Sequence, residues 1–135
     1  MKRALIIDAQ GGGIGKQLTA EIVKRGLELE IIAVGTNSTA SAQMLKAGAA
    51  HAATGENPVI VNCRKADFIL GPIGIAIADS MYGEITSGMA EAIGQSDAVR
   101  ILIPINSCGT FVAGVNDAGL KYYIKEAVDH LEALL

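Results

Sequence analysis

With 135 residues, half of them apolar and only 19% charged, the chain has room for one hydrophobic core, so one domain over residues 1–135 is expected. A net charge of −3, basic residues scattered along the chain and the lack of tryptophan exclude nucleic acid as the main partner. No apolar run reaches membrane-spanning length, and Cys63 and Cys108 have no metal-type spacing, which together predict a cytoplasmic protein with free thiols.

Ala4 to Ile7 is a continuous apolar run, the pattern of a strand buried on both faces of a parallel sheet. A turn of Gly11-Gly12-Gly13-Ile14-Gly15 follows. A helix then places Ile14, Leu18, Ile22 and Val23 on one face, with Lys24 and Arg25 in its last turn and Gly26 as its stop. Ile31 to Val34 is a second strand. Gly35-Thr36-Asn37-Ser38 forms a turn and an N-cap for a helix running to about Lys46. Ala49 to Ala53 reads as a weak third strand. Asn57-Pro58 reads as an N-cap with proline at the first helical position, opening a helix through Lys65. Phe68 to Leu70 is a fourth strand that runs into Gly71-Pro72-Ile73-Gly74. Short helices are expected near Ile75–Met81 and from about Ser87 to Gly94. A fifth strand spans Arg100 to Ile103 and a sixth Phe111 to Val115. The last helix shows Leu120, Ile124, Val128, Leu131 and Leu135 on one buried face. Strands alternating with helices imply an α/β fold: a doubly wound, mostly parallel sheet of order 3-2-1-4-5 with the sixth strand added. The ends of strands 1 and 4 then flank a crevice.

The glycine turn is the strongest chemical signal. Four glycines in five residues, between a buried strand and an amphipathic helix, let backbone N–H groups approach an anion with the helix dipole behind them. A bare strand-to-helix turn seldom needs so many, so phosphate binding is expected here. The ligand is less clearly specified. Gly11 and Gly13 fit the dinucleotide pattern G-x-G-x-x-G, but Lys16 stands at the third glycine. The acid that would hold a ribose hydroxyl after strand 2 is replaced by Gly35-Thr36-Asn37, whose Thr36 and Asn37 could bond a ribose or a 2′-phosphate. Gly15-Lys16 resembles the end of a P-loop, yet Gln17 replaces the magnesium-binding hydroxyl and Gln10 the first glycine. Gly13-Ile14-Gly15 looks like the Gly-Ile-Gly of short-chain dehydrogenases, but Asp8 and Ala9 replace its Thr-Gly. No lysine stands four residues after Tyr82, Tyr122 or Tyr123 to complete the catalytic pair of that group.

Five segments together resemble the signature of a short bacterial domain-of-unknown-function family: Asp8-Ala9-Gln10-Gly11-Gly12-Gly13-Ile14-Gly15, Gly35-Thr36-Asn37, Ala53-Thr54-Gly55-Glu56-Asn57, Gly71-Pro72-Ile73-Gly74 and Gly83-Glu84-Ile85-Thr86. The resemblance covers essentially the whole chain. It implies a Rossmann-like cytoplasmic protein that stands alone, and it carries no activity, cofactor or catalytic residue.

The expected ligand site therefore comprises Asp8, Gln10, Gly11, Gly12, Gly13, Ile14 and Gly15, with Thr36 and Asn37 beyond strand 2 and Gly71, Pro72 and Ile73 across the crevice. Asp8 could take a ribose hydroxyl or a metal, although a carboxylate accepting turn N–H groups is the blander reading. Cys108, after Asn106-Ser107, reads as an inert loop thiol rather than a nucleophile. Glu56 and Glu84 suit helix caps or a substrate contact. His51 and His130 stand alone, and no metal site is indicated. The leading reading is a nucleotide-binding module, with NAD(P) the leading cofactor guess. A small NAD(P)-dependent oxidoreductase or transferase acting as an oligomer is the first alternative, and a ligand-free structural or partner-binding subunit the second. The surplus of apolar residues points to a homo-oligomer.

Overall fold

The computed structural model describes residues 1–105, 109–116 and 118–135; the sequence readings at Asn106, Ser107 and Cys108 lie outside the described residues. Its elements in chain order are β1 (Lys2–Asp8), α1 (Gly13–Lys24), β2 (Leu29–Gly35), α2 (Ser38–Lys46), β3 (His51–Thr54), α3 (Glu56–Cys63), β4 (Phe68–Pro72), a 3₁₀ turn (Ile73–Ala76), α4 (Ser87–Gln95), β5 (Val99–Ile103) and α5 (Leu120–Ala133). The five strands form one sheet of order β3-β2-β1-β4-β5, and every pairing is parallel. This is the Rossmann-like doubly wound arrangement that alternating elements predict.

The apolar run of β1 shows why the sheet is covered on both sides. Its even positions, Ala4 and Ile6, pack with Leu18 and Ile22 of α1, Met44 of α2, and Ile124, Val128 and Leu131 of α5. The alternate positions, Leu5 and Ile7, pack on the other face with Val59 of α3 and Met89 and Ile93 of α4. Each fully buried aliphatic side chain of this kind contributes about 1.5–3 kcal/mol, so the two half-cores hold the layers together. Arg25, just past α1, ties that helix to α5. Its guanidinium donates to Glu21 and Asp129 at 2.7 Å and to Glu132 at 3.2 Å.

Four sequence expectations are corrected. Phe111 to Val115 is not a sixth strand: Ala113-Gly114 makes a turn, with Gly114 at φ 85°, and Phe111 is 88% exposed. A glycine in the left-handed region breaks the extended run before it can pair. The helix expected at Ile75–Met81 is only the 3₁₀ turn, because Asp79, Met81 and Tyr82 adopt positive φ and cannot continue a right-handed helix. Residues 79–85 close instead as a loop, with the N–H of Asp79 donating to the carbonyl of Ile85 at 2.7 Å. The N-cap of α3 is Gly55, not Asn57, so Pro58 sits in the first turn rather than at its first position. Leu135 is half-exposed beyond α5, whose buried face is Ile124, Ala127, Val128 and Leu131.

Strands β1 and β4 approach closely at the crevice. A Cβ on Gly71 would meet the carbonyl oxygen of Ile7 in β1, and the side chain of Ile75 at 2.9 Å. Because one obstacle is backbone in the sheet centre, Gly71→Ala is expected to lower unfolding stability by about 2–4 kcal/mol, as read by urea denaturation. A loss within error of zero would show that β4 can shift away at no cost.

Candidate functional site

The carboxyl ends of β1 and β4 face each other where the sheet order reverses. Between them lies a cavity of about 200 Å³, with Asp8, Gln10, Gly11 and Ile14 on one wall and Pro72, Gly74 and Met81 on the other. Of the residues expected from the sequence, Asp8, Gln10, Gly11, Ile14 and Pro72 line this cavity, while Gly12, Gly13, Gly15, Thr36, Asn37, Gly71 and Ile73 do not.

Asp8, the last residue of β1, is 3% exposed. Its Oδ1 accepts the N–H of Ala9 at 2.8 Å and its Oδ2 the N–H of Gly15 at 2.6 Å. The chain's own carboxylate therefore sits on the positive end of α1, satisfying a donor that helical geometry leaves open. Burial is the largest influence on this group and pushes its pKa above the ordinary carboxylate range. The N–H groups of Gly15, Ala9 and Ile14 pull the other way, and the charge of Glu84 adds to the rise.

The glycines of the turn divide into two classes. Gly12 has φ 74°, and a Cβ there would lie 2.8 Å from the Cα of Ala40 in α2. A Cβ on Gly15 would lie 2.5 Å from the sulfur of Met44 and 2.9 Å from Cβ of Asp8. Packing alone demands these two. Gly11 and Gly13 are exposed, neither has a positive φ, and a Cβ at either would meet nothing within 4 Å. Among the described residues no hydrogen bond reaches the N–H of Gly11 or Gly13.

Glu84 was not singled out as part of the crevice by the sequence, and the fold brings it there. Its Oε1 accepts the N–H of Gln10 at 2.9 Å, the hydroxyl of Thr36 at 2.6 Å and the amide of Asn37 at 2.9 Å. Asn37 also donates to the carbonyl of Gln10 at 2.9 Å, and its own Oδ1 accepts the N–H of Ala40 as the N-cap of α2. Gln10, at φ 51°, is held in its left-handed conformation by these bonds to both of its peptide groups. Thr36 and Asn37 thus spend their side-chain donors on Glu84 and Gln10. Partial burial pushes the Glu84 carboxyl up, but the bonds from Thr36, Gln10 and Asn37 outweigh it and hold the group below the ordinary carboxylate range. The one signal available in sequence was an acid inside the turn Gly83-Glu84; nothing local marks its partners 47, 48 and 74 residues away.

The remaining candidates lie elsewhere. Gly71 is buried within β4 and Ile73 opens the 3₁₀ turn. Glu56, the first residue of α3, accepts the hydroxyl of Thr86, which in turn caps α4. Cys63 is buried under α4, and desolvation raises its thiol pKa to about 11, so it is a poor nucleophile. His51 and His130 are exposed. Among the described residues no group of three or more His, Cys, Asp or Glu could hold a metal ion, and no helix is long and apolar enough to cross a membrane.

The two carboxyls titrate in opposite senses. Glu84, with its pKa depressed in the fold, contributes stability that is present above its unfolded pKa and is lost as pH falls through the folded value. Asp8, with its pKa raised, contributes most below its unfolded pKa and less as pH rises through the folded value. Glu84→Gln is expected to cost on the order of 1 kcal/mol near pH 7, with the difference from wild type shrinking toward pH ~3 as the wild-type carboxyl protonates. Urea midpoints across that range check it, and a difference that grows in acid would refute the assignment.

No curated protein matches the chain in sequence. A solved structure to which it is similar is a dodecameric FMN-dependent UbiX-like decarboxylase from Escherichia coli O157:H7, 12% identical over 96% of this chain and 94% of that one, with a TM-score of 0.46. A family model described as a domain of unknown function, DUF3842, matches residues 3–135, and the chain belongs to that family.

Proposed function

We propose that this protein binds a small phosphate-bearing ligand, most simply a nucleotide, over the turn from Gly11 to Gly15. The observation that carries this reading is the pair Gly11 and Gly13. Both have N–H groups without a partner among the described residues, and neither backbone conformation nor packing requires glycine at either position. Glycine where the fold does not need it, beside a crevice at the switch point of the sheet, is what close approach of a ligand to the backbone demands. Asp8 is the one titratable side chain among the described residues lining the cavity, which leaves acid–base chemistry without a second group. Binding rather than turnover is the function so supported, in a domain that works in the cytoplasm. The ligand-free alternative draws on one observation, that Asp8 already occupies the amides at the start of α1.

A thermal-shift series with AMP, NAD, NADP, ATP, GTP, FAD, CoA and S-adenosylmethionine tests the reading, since ligand at about 100 times its Kd stabilises the folded state by about 2.7 kcal/mol. At least one adenine-containing compound is expected to raise the midpoint. Gly13→Val is expected to abolish that response while keeping the unliganded midpoint within about 1 kcal/mol of wild type. If no compound moves the midpoint of the wild-type protein, the ligand-free alternative stands instead.

Self-association belongs to the same proposal. Phe111, Ile105 and Val115 line one shallow depression beside the crevice and are all exposed, an apolar patch that a second copy would cover. Light scattering at micromolar protein is expected to give more than the mass of one chain. A monomer would overturn this part alone.

A further inference from the structure

The geometry points to a charge filter: Asp8 and Glu84 restrict the crevice to ligands presenting a single phosphate or a group of comparably low charge, and turn away di- and triphosphates. The inference rests on the phosphate-binding reading above and specifies the class of ligand it admits. Three observations carry it. First, the positive end of α1, the usual counterweight to a phosphate chain, is already met by the Asp8 carboxylate at 2.6 Å from the N–H of Gly15. Second, Glu84 accepts the N–H of Gln10, a residue of the cavity wall, so a second carboxylate stands one hydrogen bond behind that wall. Third, no lysine or arginine is among the described residues lining the cavity, so none of those residues offsets further negative charge. Polyphosphate sites rely on a cationic side chain or a metal in addition to backbone amides, and this turn offers two free N–H groups, those of Gly11 and Gly13. Size agrees with charge. A cavity of about 200 Å³ is smaller than sites that enclose a whole cofactor, and it suits one compact group with the rest of the ligand lying over the open turn. Burial of Asp8 strengthens the effect, because a charge in a poorly solvated wall acts on a second charge with less screening.

The test is calorimetric titration in metal-free buffer with inorganic phosphate, pyrophosphate and tripolyphosphate, and in parallel with AMP, ADP and ATP. For the wild-type protein each added phosphate is expected to weaken binding by about tenfold. Asp8→Asn and Glu84→Gln are each expected to flatten that gradient. Because Asp8→Asn disturbs the start of α1 and can fail to fold, Glu84→Gln supplies the same reading from the rim. Tripolyphosphate or ATP binding as tightly as the monophosphates, or an unchanged gradient in every folded variant, overturns the filter and leaves phosphate binding intact. Failure of all six probes to bind, in a protein that also ignores the wider ligand series, overturns the phosphate reading and the filter with it.

Discussion

The bond between the Asp8 carboxylate and the N–H of Gly15 joins the central strand to the first helix, with a main-chain N–H as its donor. Burying a carboxylate costs several kcal/mol unless hydrogen bonds replace its water, and the amides of Ala9 and Gly15 supply that replacement. Because the donors are main chain, the bond dictates a path and does more than place one side chain. The chain has to leave β1, reverse through Gln10 and Gly12 in left-handed conformations, and return with Gly15 directly over Asp8. No larger residue fits at Gly15, since the place of its Cβ is taken by Met44 and by Asp8 itself. The position of α1 against α2 follows from this contact, and with it the half-core shared by Leu18, Ile22 and Met44.

Glu84 performs the complementary task across the chain. It gathers the glycine turn, the end of β2 and the start of α2 onto one carboxylate oxygen, so that Gln10, Thr36 and Asn37 behave as a unit. The loop that delivers it is itself an unfavourable piece of backbone, with Asp79, Met81 and Tyr82 all at positive φ. Residues in that region cost about 1 kcal/mol or more each and persist where surrounding contacts over-determine them. Here the contacts are the pairing of Asp79 with Ile85 and the docking of Glu84 on its three donors. Rigid geometry at the mouth of the crevice is thus assembled from a tense loop, pinned to the core by the buried side chain of Ile85, and a charged anchor.

The elements whose signals are local were legible in the sequence. The unbroken apolar run of β1, the amphipathic face of α1 and the Asn37 cap of α2 predict their structures, and alternation of strands with helices predicts the sheet order. The reading failed where two local signals competed. Phe111 to Val115 is apolar and β-branched enough for a strand, but Gly114 turns the chain and, among the described residues, no strand pairs with it. Ile75 to Met81 is apolar enough for a helix, yet residues 79–85 close through irregular turn bonds, such as that from the N–H of Asp79 to the carbonyl of Ile85, which leave no periodic trace. At the crevice, the wall residues Asp8, Gln10, Gly11, Ile14 and Pro72 were recognisable from glycine spacing and strand ends. The distinction among the glycines was not, because Gly12 and Gly15 are required by α2, whose approach only the folded chain reveals.

One topological feature reaches into how the molecule comes together. The central pairing of the sheet, Ala4 with Phe68 and Ile6 with Leu70, joins strands separated by two complete strand–helix units. The units before it make mostly local contacts and can close early, whereas this pairing must wait for a long loop to be drawn in, which is slow for parallel strands. Until β4 docks, the first half of the chain presents an open strand edge in β1, a template for wrong partners. The crevice does not exist before that moment, since Pro72 and Gly74 arrive with β4. Its second wall is therefore a late product of folding, and a ligand held between the walls would act as a latch on the seam that closes last.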